Sequence, residues 1–399
     1  MIKTSIIGVT GFGDTHYTDL MREVAAGRVQ AAGATIINQE EVPEKCEKLR
    51  QLGCPIFTDY REMLAACEAD LCMIPTGIPL HRVMTVDALE AGLNVFVEKP
   101  AAGAVQDVDA MRAAAVRNGR FVAVGYQDMY ADHTHIAKRK LLAGTIGRIR
   151  SIKVYGLWPR ADSYYARNNW AGQLKVNGTW VLDSPMNNAL AHEVIMSLFL
   201  AGASERGAAC PVSVEAELYR AHEIESADTC CLRIQTDTGI PVTVWLTHAS
   251  EANEGPVLEV QGEKGLLRRA RRDAPVISSP ETTEVLESKA PTRHTMMDAV
   301  LDRLQHGKRF VCDLDVARNQ TLTINAAHEA TRIHTIPDAY VRRQKEKGSV
   351  KTVVEGIDDV TKHAFEKGCL YSECDAPWAK EPGSFTLGDY TSFPQRPIG

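Results

Sequence analysis

The stretch Ser5-Ile6-Ile7-Gly8-Val9-Thr10-Gly11-Phe12-Gly13 passes from an apolar run into a glycine-rich turn, and Tyr17, Leu20, Met21 and Val24 then recur at helical spacing. A strand that enters a helix through a glycine turn opens a parallel βαβ unit. Apolar runs at 34–37, 71–74, 95–97 and 121–124 are the expected further strands, with helical patterns between them. Strands alternating with helices predict an α/β domain on a parallel sheet, here over residues 1–124.

The dinucleotide fingerprint is G-x-G-x-x-G, with glycines for a tight turn, for backbone approach to pyrophosphate and for close helix packing. Gly8 and Gly13 meet the first and third needs; Thr10 takes the second place, with Gly11 directly after it. A plain glycine turn is the alternative, but the position between first strand and first helix favours a dinucleotide. Expected contacts are Gly8, Thr10, Gly11, Phe12 and Gly13. Asn38, at the tip of strand two, can hydrogen-bond a ribose hydroxyl without repelling a 2′-phosphate, and no arginine stands beside it. NAD is slightly favoured and NADP stays open.

Val95-Phe96-Val97 leads into Glu98-Lys99-Pro100. The apolar run reads as a buried strand that the proline stops. It delivers a glutamate and a lysine to the carboxyl end of the strand, where open α/β sheets bind ligands.

Beyond Gly125 the pattern changes. Val212, Val214, Ala216 and Leu218 alternate with polar residues, as do Leu232 with Ile234 and Val242, Val244 with Leu246. Period-two alternation predicts an antiparallel sheet with one wet face, and Asp237-Thr238-Gly239 reads as a hairpin turn. The expected fold is therefore an α/β Rossmann domain plus a second α+β domain with an open, mostly antiparallel sheet at 125–335. Residues 336–399, richer in Pro, Gly and Lys, are expected as an extension packed on the body.

A chain of 399 residues suits two domains, and a net charge of −6 argues against a nucleic-acid partner. The basic run Arg268-Arg269 with Arg271-Arg272 is expected on a solvated strand or turn. No run approaches the roughly 18 apolar residues of a membrane span. Ten scattered cysteines without zinc spacing imply reduced thiols, a cytoplasmic protein and no metal.

Asp183-Ser184-Pro185 has the form of a helix start, and the apolar residues from Met186 to Phe199 point nearly all round, predicting a buried helix. Asn188 and His192 share one face of it at i and i+4. They are either satisfied core residues or face a substrate cleft, with His192 as proton-transfer group and Asn188 orienting a hydroxyl. Trp158-Pro159-Arg160 and Tyr164-Tyr165-Ala166-Arg167-Asn168-Asn169-Trp170 add an aromatic and cationic cluster suited to binding a sugar.

These residues together resemble the glucose–fructose oxidoreductase / inositol dehydrogenase / MocA family. The matching pieces are the glycine turn followed by His16, Thr76-Gly77-Ile78-Pro79-Leu80-His81, Val97-Glu98-Lys99-Pro100, Gly125-Tyr126-Gln127, the Trp158–Tyr165 region, and Asn188-x-x-x-His192. The resemblance covers roughly residues 1–340 and implies an NAD(P)-dependent oxidoreductase acting on a hydroxyl of a sugar, glycoside or cyclitol. It implies Lys99 and His192 as catalytic groups with Asn188 beside them, where many members carry aspartate, and a cis bond before Pro100. Thr76, His81, Glu98, Lys99 and Gln127 would border the cofactor; Arg160, Tyr164, Tyr165, Arg167, Asn168 and Trp170 would line the substrate side. It also implies a homo-oligomer formed through the domain-two sheet. A redox-neutral NAD-dependent glycoside hydrolase or lyase and a non-catalytic sugar- or nucleotide-sensing protein are the alternatives.

Overall fold

The computed structural model describes residues 1–271, 273–346 and 348–398; Arg272 of the basic run lies outside the described residues. Its contacts group the chain into two units. One comprises Met1–Ala102, Asp107–Ala131 and Ala290–Ala317, the other Gly103–Gln106, Asp132–Lys289 and Arg318–Gly399.

The first unit is built from β1 (Ile2–Ile7), α1 (Gly13–Ala25), β2 (Val29–Thr35), α2 (Pro43–Gln51), β3 (Ile56–Phe57), α3 (Tyr60–Ala66), β4 (Leu71–Ile74), α4 (Ile78–Glu90), β5 (Asn94–Val97), α5 (Val105–Asn118) and β6 (Val122–Val124). The strands pair in parallel in the order β3-β2-β1-β4-β5-β6. Every residue of β4 is buried, as is all of β5 after Asn94, because both faces of the sheet are covered. β2 begins and ends earlier than expected: Ile37 is 78% exposed. The two-residue β3 carries too short a pattern to be foreseen.

The second unit opens with α6 (Asp132–Leu142), β7 (Ile149–Leu157), α7 (Asp162–Tyr165), β8 (Lys175–Val176), β9 (Thr179–Trp180) and α8 (Ala191–Ala201). Seven strands follow: β10 (Pro211–Arg220), β11 (Thr229–Thr236), β12 (Val242–Thr247), β13 (Glu254–Gly262), β14 (Leu266–Ala270), β15 (Val276–Ser278) and β16 (Thr283–Val285). Then come α9 (Thr292–His306), which belongs to the first unit, α10 (Leu314–Ala330), β17 (Ile333–Thr335), β18 (Val341–Glu346), β19 (Ser349–Val354), α11 (Ile357–Lys367) and β20 (Gly383–Thr386). The large sheet runs β16-β15-β14-β13-β7-β12-β11-β10-β17, with β20 also on β10. It is mostly antiparallel; the β12–β7 and β10–β17 pairs are parallel. Gly239 makes the β11–β12 turn at φ +75°. Val212 breaks the foreseen alternation and is 44% exposed, because the β10–β11 register slips between Pro211 and Ser213.

Both faces of this sheet are covered within the unit. A Cβ on Gly156 of β7 would sit 3.0 Å from Leu190 at the start of α8. Its neighbours Tyr155 and Leu157 point the other way, as strand alternation requires. There they join Tyr219 and Trp245 in a cluster with Val354, Ile357, Phe365, Tyr371 and Trp378 from the C-terminal segment. Trp245 Nε1 donates to the Cys369 carbonyl at 3.1 Å. The sheet face expected to be open for subunit contact is thus closed by the chain's own last sixty residues. Cys369 and Cys374 are joined in a disulfide there, so the expectation of ten reduced thiols is corrected; eight cysteines are free. Among the described residues no helix is long and apolar enough to cross a membrane.

The basic run also differs from expectation. Arg268 is exposed and paired with Glu259, but alternation along β14 turns Arg269 inward, where its Nη2 meets Glu193 Oε2 of α8 at 2.5 Å. Lys138 is buried too, its Nζ donating to the Phe199 and Gly202 carbonyls at the end of α8. Burial pushes this lysine down to about 8. Cations at a helix C-terminus satisfy its last carbonyls and its dipole, so α8 is held at both ends. Phe365→Ala, which empties the centre of the C-terminal cluster, is expected to lower unfolding free energy by about 3–5 kcal/mol. Denaturant unfolding followed by tryptophan fluorescence measures this, and a loss near zero would mean the segment does not seal the sheet.

Candidate active site

The first unit gathers its predicted residues at the carboxyl ends of β1, β4 and β5. Gly8 has φ +91° and Gly11 φ +56°, both strained for any side chain, and a Cβ on Gly13 would lie 2.9 Å from the Gly8 carbonyl oxygen. Gly11, not position 10, therefore supplies the left-handed residue, which accommodates Thr10. α1 starts at Gly13 without a side-chain cap, and the Thr76 hydroxyl is buried with no partner among the described residues. The Gly13, Asp14 and Thr15 amides donate to the Thr10, Gly11 and Phe12 carbonyls, so what the turn offers a pyrophosphate is close backbone approach at its glycines and the positive end of α1.

Glu98 holds this end of the unit together. Its Oε1 lies 2.7 Å from His16 Nε2 of α1, and its Oε2 accepts the Lys99 backbone N–H at 3.0 Å. Burial alone would raise its carboxyl, but the His16 hydrogen bond and the charges of His16, Lys99 and Arg293 prevail and bring it to about 2. Gly125 is required beside it, since a Cβ there would come within 2.8 Å of Oε1. Lys99 is half-buried and the Lys99–Pro100 bond is cis, as the resemblance implied. His81 is fully buried, with Nδ1 at 2.8 Å from the Pro100 carbonyl and Nε2 at 3.0 Å from that of Thr76. It ties the loop after β4 to the Lys99-Pro100 bend, so its ring nitrogens face backbone. Burial holds it neutral, below its usual value.

Arg293 of α9 was not foreseen. It donates to Asp19 through Nε at 2.8 Å, reaches Gln127 Oε1 at 3.5 Å and lies over the Phe12 ring. It is 280 residues downstream of the turn it supports, and no local pattern marks it. Asn38 donates to Glu41 Oε2 at 2.5 Å. Arg50 of α2 bonds Gln39 at 3.0 Å, so an arginine does stand near this tip, brought there by the fold.

The second unit gathers the rest. α8 begins at Ala191, not at Asp183. Residues 184–190 form turns, because Asn187 donates to the Val181 carbonyl and Asn188 to Asp183 Oδ1 at 2.8 Å, bonds that compete with helix. Asp183 also accepts the Gly172 N–H at 2.6 Å. Asn188 therefore lies one turn before the helix, backed by a buried carboxylate five residues upstream. His192 is the only residue of α8 that is not buried.

Tyr164 stands beside them, its hydroxyl 3.4 Å from Asn188 Nδ2. The Arg160 and Arg167 guanidinium carbons lie 4.9 and 3.6 Å from its ring centre. Arg167 also lies over Trp170. Tyr165 bonds His248 Nδ1 at 3.1 Å. Asn168 differs in role: its Oδ1 accepts the Trp170 and Ala171 N–H groups, shaping the loop. His248 and the His222–Asp228 pair, 2.7 Å apart, were missed because each follows or precedes a buried strand and reads as core.

Two family models fit the chain: residues 2–126 match the oxidoreductase family with an NAD-binding Rossmann fold, and residues 134–268 match the GFO/IDH/MocA C-terminal domain. The chain belongs to the Gfo/Idh/MocA oxidoreductase family. Its first unit is an NAD-binding Rossmann domain. Among curated relatives, an inositol 2-dehydrogenase of Burkholderia multivorans is 23% identical over 363 residues, covering 88% of this chain and 96% of the relative. Among solved structures, the WlbA dehydrogenase of Bordetella pertussis with NADH and UDP-GlcNAcA has a TM-score of 0.67 at 22% identity, over 82% of this chain and 94% of that one. Levoglucosan dehydrogenase with NADH and levoglucosan has a TM-score of 0.69 at 18% identity, over 82% and 96%. These structures share the fold.

The Asn38–Glu41 pair places a carboxylate at the tip of β2, which opposes a 2′-phosphate. NADH is expected to bind at least about tenfold more tightly than NADPH, and Glu41→Arg to narrow the ratio. Titration of nicotinamide fluorescence measures both; equal affinities in the unaltered protein would refute this.

Proposed function

We propose that this protein is an NAD-dependent dehydrogenase that exchanges a hydride between the nicotinamide and a hydroxyl-bearing carbon of a sugar or cyclitol. The observation that carries the reading is His192, the single accessible side chain of an otherwise buried helix, in a chain whose other unit is NAD-binding. The names of its relatives support the same class, through inositol, levoglucosan and a nucleotide-linked sugar acid.

In this reading the residues 8–13 turn and Thr76 hold the cofactor, with Arg293 behind Phe12. Bound NAD supplies the hydride acceptor. His192 takes the hydroxyl proton, a role imidazole fills near neutral pH. Asn188, oriented by Asp183, aligns the reacting group. Lys99, its backbone fixed by Glu98, offers an ammonium to the oxygen on which charge develops.

The test is NADH absorbance on a panel of inositols, aldoses and nucleotide sugars. Accumulating NADH separates this chemistry from redox-neutral hydrolysis, which leaves the cofactor oxidised at the end of each turnover. On the active substrate, Lys99→Met and His192→Ala are each expected to lower kcat by about 10²–10⁴-fold. Asp183→Asn should lose less and shift the pH profile of kcat, since it removes the charge behind Asn188. Near-full turnover in both of the first two variants would rule the assignment out.

A further inference from the structure

Tyr164 is flanked by two guanidinium groups that have no carboxylate partner among the described residues. Arg160 lies against Tyr164 and Trp158, bonds the Pro159 carbonyl at 3.5 Å and the Tyr164 side chain, and has a buried Nε without a partner among the described residues. Arg167 stacks on Tyr164 and Trp170 and donates to the Tyr164 carbonyl. The buried acids of this region are already engaged. Asp183 accepts from Gly172 and Asn188; Asp228 accepts from Ala221, His222 and Thr229.

His248 stands in the same cluster, 2% exposed. Its Nδ1 bonds the Tyr165 hydroxyl, and its Nε2 is buried with no partner. Burial keeps the Tyr165 phenol well above its usual range, so it stays protonated and can donate. When the phenol donates to Nδ1, the ring proton sits on Nε2, which has no partner among the described residues. A buried donor left unmet costs about 1–3 kcal/mol, which a ligand acceptor offsets.

A neutral polyol answers one N–H group, but it leaves two stacked arginines without counter-charge. A planar carboxylate matches the guanidinium fork.

We propose that the substrate is a sugar or cyclitol bearing a carboxylate, which Arg160 and Arg167 grip while His248 donates to a neighbouring oxygen. This deepens the reading above and rests on Tyr164, Tyr165 and the two arginines forming the substrate side. His248 is then a specificity residue that touches substrate.

The experiment is calorimetric binding to the NADH-loaded protein of D-glucuronate and D-galacturonate, against D-glucose, D-galactose, myo-inositol and glucose 6-phosphate. The better uronate is expected to bind at least about tenfold more tightly than its neutral counterpart. Arg160→Gln and Arg167→Gln should each abolish that ratio, Arg167→Lys should keep part of it, and His248→Phe should weaken the uronate several-fold. NADH affinity in each variant reports that it folds. No uronate binding, neutral sugars bound as well, tightest binding by glucose 6-phosphate, or a ratio that survives both glutamine variants overturns the proposal. Uronates that bind as expected but never yield NADH would remove the dehydrogenase reading and leave this one standing. Neutral sugars oxidised without any uronate preference would do the reverse.

Discussion

A buried carboxylate organises the cofactor-binding half of this protein. Glu98 is almost wholly removed from water, which alone would raise its carboxyl, yet the His16 hydrogen bond and the charges of His16, Lys99 and Arg293 hold it ionised at about 2. A buried charge without such partners would neutralise or unfold its surroundings. The pair joins the first turn of the helix that follows the glycine loop to the end of β5. The glycine loop of the NAD-binding domain and Lys99 are therefore set by one interaction. Gly125 belongs to the same constraint, since any side chain there would strike the carboxylate.

The parallel domain was legible because its signals are local. β-branched runs, a glycine turn and helical spacing each act within ten residues, and β1, β4, β5 and β6 lie close to where periodicity puts them. The antiparallel domain was legible in class but not in closure. Alternation in β10, β11 and β12 announces a sheet with two unlike faces, but it does not say what covers the second one. Trp245 and Tyr219 meet Phe365, Tyr371 and Trp378 across more than a hundred residues, a pairing no short-range pattern encodes. The consequence is physical: an apolar face already buried by its own chain has no remaining hydrophobic gain to offer a second copy.

The polar site shows the same division. Lys99, Tyr164 and Arg167 stood out as candidates because charged or aromatic side chains at strand ends and in loops lack a packing explanation, whereas His192 on its apolar helix stood open between core and cleft until the family resemblance singled it out. Arg293, His248 and Asp183 were not, since each sits where burial or simple capping explains it equally well. The helix start was misjudged for a related reason. Asp183-Ser184-Pro185 has the chemistry of a cap, but the asparagines at 187 and 188 offer the backbone stronger local partners, and the helix waits until Ala191.

That delay bears on how the site works. Had the helix begun at Asp183, its carboxylate would have been consumed in capping amides. Released from that task, it bonds Gly172 and the amide of Asn188. An aspartate at 188 would have carried the charge itself, and two adjacent buried carboxylates would repel. With asparagine there, the charge stays on Asp183 and the amide keeps an N–H within reach of the Tyr164 hydroxyl. The arrangement replaces an anion at position 188 with a neutral, oriented amide. The same unit sets against Tyr164 two arginines that have no carboxylate partner among the described residues.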